Sequence, residues 1–160
     1  MSLVFINYLT DDSDGIAVLL DRELSRTFGP DKIFRAGRSI PPGADWEAAI
    51  HTALRRSRAL IAVIGPRWLA TVAPAATLDN SPHWTRQEIQ AALADGTRVI
   101  PVLLGQTPPL ASDDLPSALA PLAKRQYIRL DHTDIDSAIN RLTTTLAHQV
   151  PALTHRRQPC

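Results

Sequence analysis

Cysteine is almost absent from this chain of 160 residues: the single one is the terminal Cys160. That excludes a disulfide framework and a thiolate metal site, and it fits a reducing, cytoplasmic compartment. Charge of one sign is lacking too, because 17 Lys and Arg against 16 Asp and Glu leave a net charge of +1. So small an excess gives no overall field that argues for nucleic acid or for a membrane surface. The basic run His155, Arg156, Arg157 reads as a solvated end. No apolar stretch reaches the roughly 20 residues of a membrane span, and the chain enters a strand-like run by Leu3 with no basic leader before it. The expectation is one soluble domain over 1–150, with 151–160 as a tail or linker to a domain that this chain lacks.

Several reaction types are excluded by missing motifs. There is no G-x-G-x-x-G after the first strand and no G-x-x-x-x-G-K-[ST], so neither a dinucleotide fingerprint nor a phosphate-cradling loop is present. G-x-S-x-G is absent, which removes the usual nucleophile elbow. His51, His83, His132, His148 and His155 form no set at metal-ligand spacing. A phosphate-accepting receiver domain would need acids after the first strand and an aspartate ending the third. Those places hold Asn7-Tyr8 and Ile64-Gly65-Pro66.

What is present is an alternation of short apolar runs with helical periods. "LVFI" from Leu3, "KIF" from Lys32, "ALIAVI" from Ala59 and "VIPVLL" from Val99 are unbroken, as strands buried on both faces of a parallel sheet are. "YIRL" from Tyr127 alternates, as an edge strand does. Pro101 cannot donate to a ladder, so its strand should have an incompletely paired stretch or lie near an edge.

Helical spacing connects Ile16, Leu20, Leu24 and Phe28 before Gly29-Pro30, then Trp46, Ile50, Ala53 and Leu54. Ser81 and Pro82 can start a third helix carrying Trp84, Ile89, Ala92 and Leu93, and Ile135 to Val150 forms the last. The segment 105–126 reads as a proline-rich loop with room for a short helix over 115–122. The order predicts a doubly wound, flavodoxin-like α/β fold with helices on both faces of a parallel sheet. In such folds ligands bind outside the carboxyl ends of the strands, which directs attention to the residues after each strand.

The motifs, taken in order, resemble the Toll/interleukin receptor (TIR) domain family, its bacterial members in particular. They are "VFINYLTDDSD", "DKIFRAGRSIPPGADW" with its S-I-x-P-G feature, "SRALIAVIGPRWL" and "WTRQEIQAALADGTRVIPVLL". The resemblance covers about Leu3 to Val150 and implies five strands in the order 2-1-3-4-5. It also implies one of two functions. One is an NAD+ glycohydrolase or cyclase that cleaves the nicotinamide-ribose bond, is activated by self-association and serves bacterial anti-phage immunity. The other is a non-enzymatic adaptor that assembles with other TIR domains as a homo-oligomer or filament. NAD is then a substrate, and no cofactor, metal, nucleic acid or membrane is implied.

The resemblance puts the catalytic glutamate at the start of the helix after the proline-glycine loop, which is Glu47 here. With Asp45 as N-cap, Glu47 heads the stripe of Ile50 and Leu54, although an acid in a first turn also meets the helix dipole favourably. Tyr8, Leu9 and Thr10 resemble positions lining the nucleotide pocket. Trp46 is either core or a wall of that pocket. Arg35 and Arg38 can pair with the NAD pyrophosphate or remain solvated. Asp11, Asp12 and Asp14 read as caps of the first helix. Trp84 and Glu88 share a helix face, Trp84 as core and Glu88 as a structural partner and reserve carboxylate. Two departures stand out: Arg35-Ala36 where the family often has an acid, and Asn7 where it more often has serine.

Overall fold

The central strand is apolar at every position because both of its faces are covered. Ala59–Ile64 is buried throughout. Ala59, Ile61 and Val63 enter one apolar cluster, while Leu60, Ala62 and Ile64 enter the other, as the period of two requires. The computed structural model of the protein describes residues 2–10, 12–72 and 84–154. Within it, β1 (Val4–Asn7), β2 (Ile33–Phe34), β3 (Ala59–Ile64), β4 (Arg98–Leu104) and β5 (Ile128–Leu130) form one parallel sheet in the order β2-β1-β3-β4-β5. This is the flavodoxin-like order that the resemblance implied, within the doubly wound class expected from the alternation.

Helices α1 (Asp14–Phe28) and α6 (Ile135–Gln149) supply Leu20, Leu24, Leu142 and Leu146 to one face of the sheet. The opposite face takes Ile50 and Ala53 from α3 (Trp46–Arg56), Trp68 from α4 (Trp68–Val72) and Ile89 from α5 (Trp84–Ala94). Gly29 ends α1 with φ of 106°, a conformation that side chains rarely accept. Asp45 caps α3, its Oδ1 accepting the Ala48 amide at 3.1 Å.

Three details differ from the sequence reading, and a fourth, at Pro101, agrees with it. The stretch after β2, expected as loop, contains the one-turn helix α2 (Ala36–Ser39). The loop 105–126 holds two 3-10 turns, Ser112–Asp114 and Ala120–Lys124, in place of a helix over 115–122. The core runs past 150, since Leu153 is buried in the same cluster as Leu146. Pro101 stands opposite Ala62 of β3, and pairing with β5 begins only at Val102, so the proline lies in an incompletely paired stretch of an inner strand. The expected cap at Ser81 and Pro82 falls outside the described residues.

Candidate active site

At the carboxyl end of β1, alternation turns Asn7 toward the same side as Phe5, the side covered by α5. Asn7 is fully buried. Its Nδ2 donates to Glu88 Oε1 at 2.9 Å and to the Thr85 carbonyl oxygen at 3.0 Å. Thr85 Oγ1 donates to the Tyr8 carbonyl oxygen at 3.1 Å, so the first turn of α5 is fastened to the β1 exit at two points.

Glu88 is 8% exposed. Burial pushes its carboxyl up to about 7, and the hydrogen bond from Asn7 offsets only part of that rise. No cation shares the site through an ion pair among the described residues. A carboxyl group sequestered at the ligand-binding end of an α/β sheet, with one neutral donor, is the perturbed acid that catalytic sites favour.

Glu47 has a different environment. Its side chain is 61% exposed, and His51 stands one turn on, with Nε2 4.0 Å from Oε1. The inward stripe of α3 begins at Ile50 rather than at Glu47. A first-turn side chain at the second helical position projects beyond the sheet-facing surface, so the carboxylate stays in water.

Trp46 is likewise not the core anchor that one reading of the sequence made it. It is 50% exposed, and its ring meets Trp84 edge to face at a centroid distance of 4.8 Å. His51 stands 6.0 Å from the same Trp84 ring. Trp84, expected in the core, is only half-buried. The three rings thus form an aromatic rim joining the amino ends of α3 and α5, with Glu47 beside it and Glu88 one turn below Trp84.

The loop arginines are committed elsewhere. Asp21 on α1 is buried and accepts Arg35 Nε at 2.9 Å, Arg38 Nε at 2.6 Å and Arg38 Nη2 at 2.8 Å, together with Ser25 Oγ at 2.9 Å. Arg38 Nη2 also donates to the Ile33 carbonyl oxygen at 2.8 Å. Burial alone would push the Asp21 carboxyl up, but Arg38, Arg35 and Ser25 more than offset it and hold it below the usual aspartate value. The basic residues after β2, where an acid was expected, therefore brace α2 against α1. They are not held free for a pyrophosphate.

Of the three β1-exit residues expected to line the pocket, Leu9 is buried in the cluster with Phe5, Ile50 and Trp68 and offers only its backbone. Tyr8 is half-buried and Thr10 exposed. A β-carbon on Gly37 would lie 3.7 Å from the Tyr8 hydroxyl, which sets Tyr8 against α2. Asp12 does not cap α1. Its Oδ1 accepts the Arg67 amide at 3.1 Å, tying the exits of β1 and β3 together. A side chain at position 65 would collide with that carboxylate, so glycine there permits the approach. Asp14 opens α1, and Asp11 lies outside the described residues. No group of three His, Cys, Asp or Glu suited to a metal ion occurs among the described residues, and no helix among them is long and apolar enough to cross a membrane.

Comparison with known proteins agrees with this architecture. The TIR domains of the activated Roq1 resistosome, which directly recognizes the pathogen effector XopQ, superpose with a TM-score of 0.69 at 13% identity, over 91% of this chain and 99% of that one. The TIR domain of the Toll-related receptor TRR-2 from Hydra magnipapillata gives 0.57 at 22% identity, over 91% and 96%. A TIR-STING receptor from C. gigas gives 0.51 at 22%, with 86% of this chain covering 38% of that one. At these identities the likeness is one of fold. No curated protein gives a significant match. The sequence profile of the TIR domain matches residues 4–143, which is most of the chain, and the protein belongs to the TIR domain family.

Proposed function

We propose that this TIR domain cleaves the nicotinamide-ribose bond of NAD+, by hydrolysis or cyclisation, and that Glu88 is the carboxylate of the reaction. The observation that carries the reading is the buried Glu88 carboxyl, raised to about 7 at the carboxyl end of the sheet and held by Asn7. The leaving nicotinamide of NAD+ already bears positive charge, so the reaction needs no proton donor on the departing nitrogen. It needs a negative group beside the oxocarbenium-like ribose, and one fixed carboxylate in a dry site is worth roughly 3 kcal/mol or more there. Approach of the cationic nicotinamide ring favours the ionised form of Glu88, which an empty buried site disfavours. Trp84 and Trp46 offer apolar walls above it. Tyr8 and Thr10 stand at the β1 exit on the approach, and Glu47 stands at the rim.

The setting that goes with this reading is a bacterial effector whose TIR domains act when assembled, against phage. A scaffold without chemistry is the second reading. It is favoured by the exposed Trp46 and by Leu69, which is 39% exposed, since apolar side chains in water serve interfaces.

The test is NAD consumption by purified, artificially clustered protein, with products separated. Glu88→Gln should lose about 100-fold or more in rate and Glu47→Gln only a few-fold. The reverse pattern returns the catalytic role to Glu47, where the resemblance had put it. Wild type that leaves NAD intact even when clustered selects the scaffold.

A further inference from the structure

A small net charge conceals a strong local one at the opposite end of the sheet. The turns that enter β3 and β4, with the segment that follows α6, surround an open cavity of about 910 Å³ lined by Arg55, Arg56, Arg58 and Arg98, with Asp95 as its one acid. A second cavity of about 370 Å³ shares Arg98 and Gln149 with the first and adds Lys124, Arg125 and Arg141. The two form one continuous basic groove holding seven of the chain's 17 Lys and Arg.

All seven side chains are exposed, and none joins an ion pair among the described residues. The backbone brings like charges together: the Arg98 amide donates to the Arg58 carbonyl oxygen at 3.3 Å, setting two arginines side by side where neighbouring strands begin. Arg55 and Arg56 complement the carboxyl end of α3. Lys124 stands likewise in the last turn of Ala120–Lys124, and mutual repulsion among the remaining cations makes such an array a cost to the folded state unless an anion neutralises it.

We infer that this groove binds a polyphosphate anion, a ligand with three or more linked phosphates, such as inorganic polyphosphate or the tail of a nucleoside triphosphate. Seven cations along two abutting cavities fit a chain of charges better than a single anion, and guanidinium groups grip phosphate oxygens in pairs. The larger cavity has no aromatic side chain on which a base would stack. In the smaller, Tyr127 carries the Arg129 guanidinium over its ring at 5.7 Å. Recognition therefore falls on the phosphates and not on a base.

The probe is inorganic tripolyphosphate, titrated calorimetrically into the purified chain, with ATP, adenosine and an oligothymidylate of matched charge as further arms. Tripolyphosphate and ATP should bind saturably and adenosine should not. Their affinity should fall roughly 20-fold between about 50 and 200 mM salt if three phosphates are neutralised. Arg58→Gln with Arg98→Gln should weaken tripolyphosphate about tenfold or more, while Arg22→Gln on α1 and Glu88→Gln leave it unchanged, separating this groove from the NAD site. A cooperative thermal melt at or above that of wild type establishes that the double variant is folded. Absence of saturable binding, or equal binding by the double variant, overturns the inference. Tighter binding of the oligothymidylate than of tripolyphosphate also overturns it and identifies the groove as a nucleic-acid surface.

Discussion

At the scale of single residues, Glu88 and Asn7 set the terms. The Glu88 carboxyl is raised from 4.5 to about 7, so the folded protein holds a proton that the unfolded chain releases. Its stabilising contribution is complete below pH 4.5 and is lost as the pH rises through about 7, a change on the order of 3 kcal/mol. Urea unfolding at pH 5 and pH 8 should show wild type losing stability between the two. Glu88→Gln should lack that part of the slope and be the more stable protein at pH 8. If the ionised group does the chemistry, activity rises over the same interval. Replacing Asn7 by alanine removes the one hydrogen bond that favours ionisation, so the midpoint of the pH-rate profile should move upward. The four-residue spacing of Trp84 and Glu88 is visible in the sequence and puts both on one helix face. Its meeting with Asn7, 81 residues away, is not, because nothing local couples a strand end to a helix so distant in the chain.

At the scale of elements, α3 and α2 show how far local rules reach. Asp45 was identifiable as the cap of α3 from its place before the helical period, and it does accept the Ala48 amide. The exposure of Glu47 was not identifiable, since the helix start is set by the cap but its tilt against the sheet is set by packing. The one-turn α2 has no hydrophobic period to announce it. It is held instead by Arg35 and Arg38 reaching back to Asp21. Asp21→Asn should therefore cost on the order of 3 kcal/mol in chemical denaturation, since it strands two guanidinium groups beside a neutral amide. Arg38→Gln should lower stability without raising the KM for NAD. A selective rise in KM would restore the pyrophosphate role that the sequence had offered this arginine.

At the scale of the whole molecule, the sheet separates two ends of different character. The carboxyl ends carry the buried acid, and the amino ends carry the basic groove. On the proposed function, an exposed aromatic rim next to the buried acid would link catalysis to association, because a neighbour that covers Trp46 would also exclude water from the region above Glu88. Specific NAD consumption per protomer should accordingly rise with protein concentration in light-scattering-matched samples. Trp46→Ala should flatten that rise without unfolding the domain, since half of its surface already lies in solvent.

The sequence by itself determined the strands, the main helices and the doubly wound class, because short buried runs and helical periods are local patterns that admit few arrangements, while the strand order and the family came from the resemblance of its motifs. Only the tertiary structure decided which carboxylate is buried. Desolvation and hydrogen bonding depend on what distant segments bring to a side chain, and those segments place Glu88 against Asn7 while leaving Glu47 in water. The same holds for charge: composition reports a sum near zero, and the fold alone gathers seven cations along one groove.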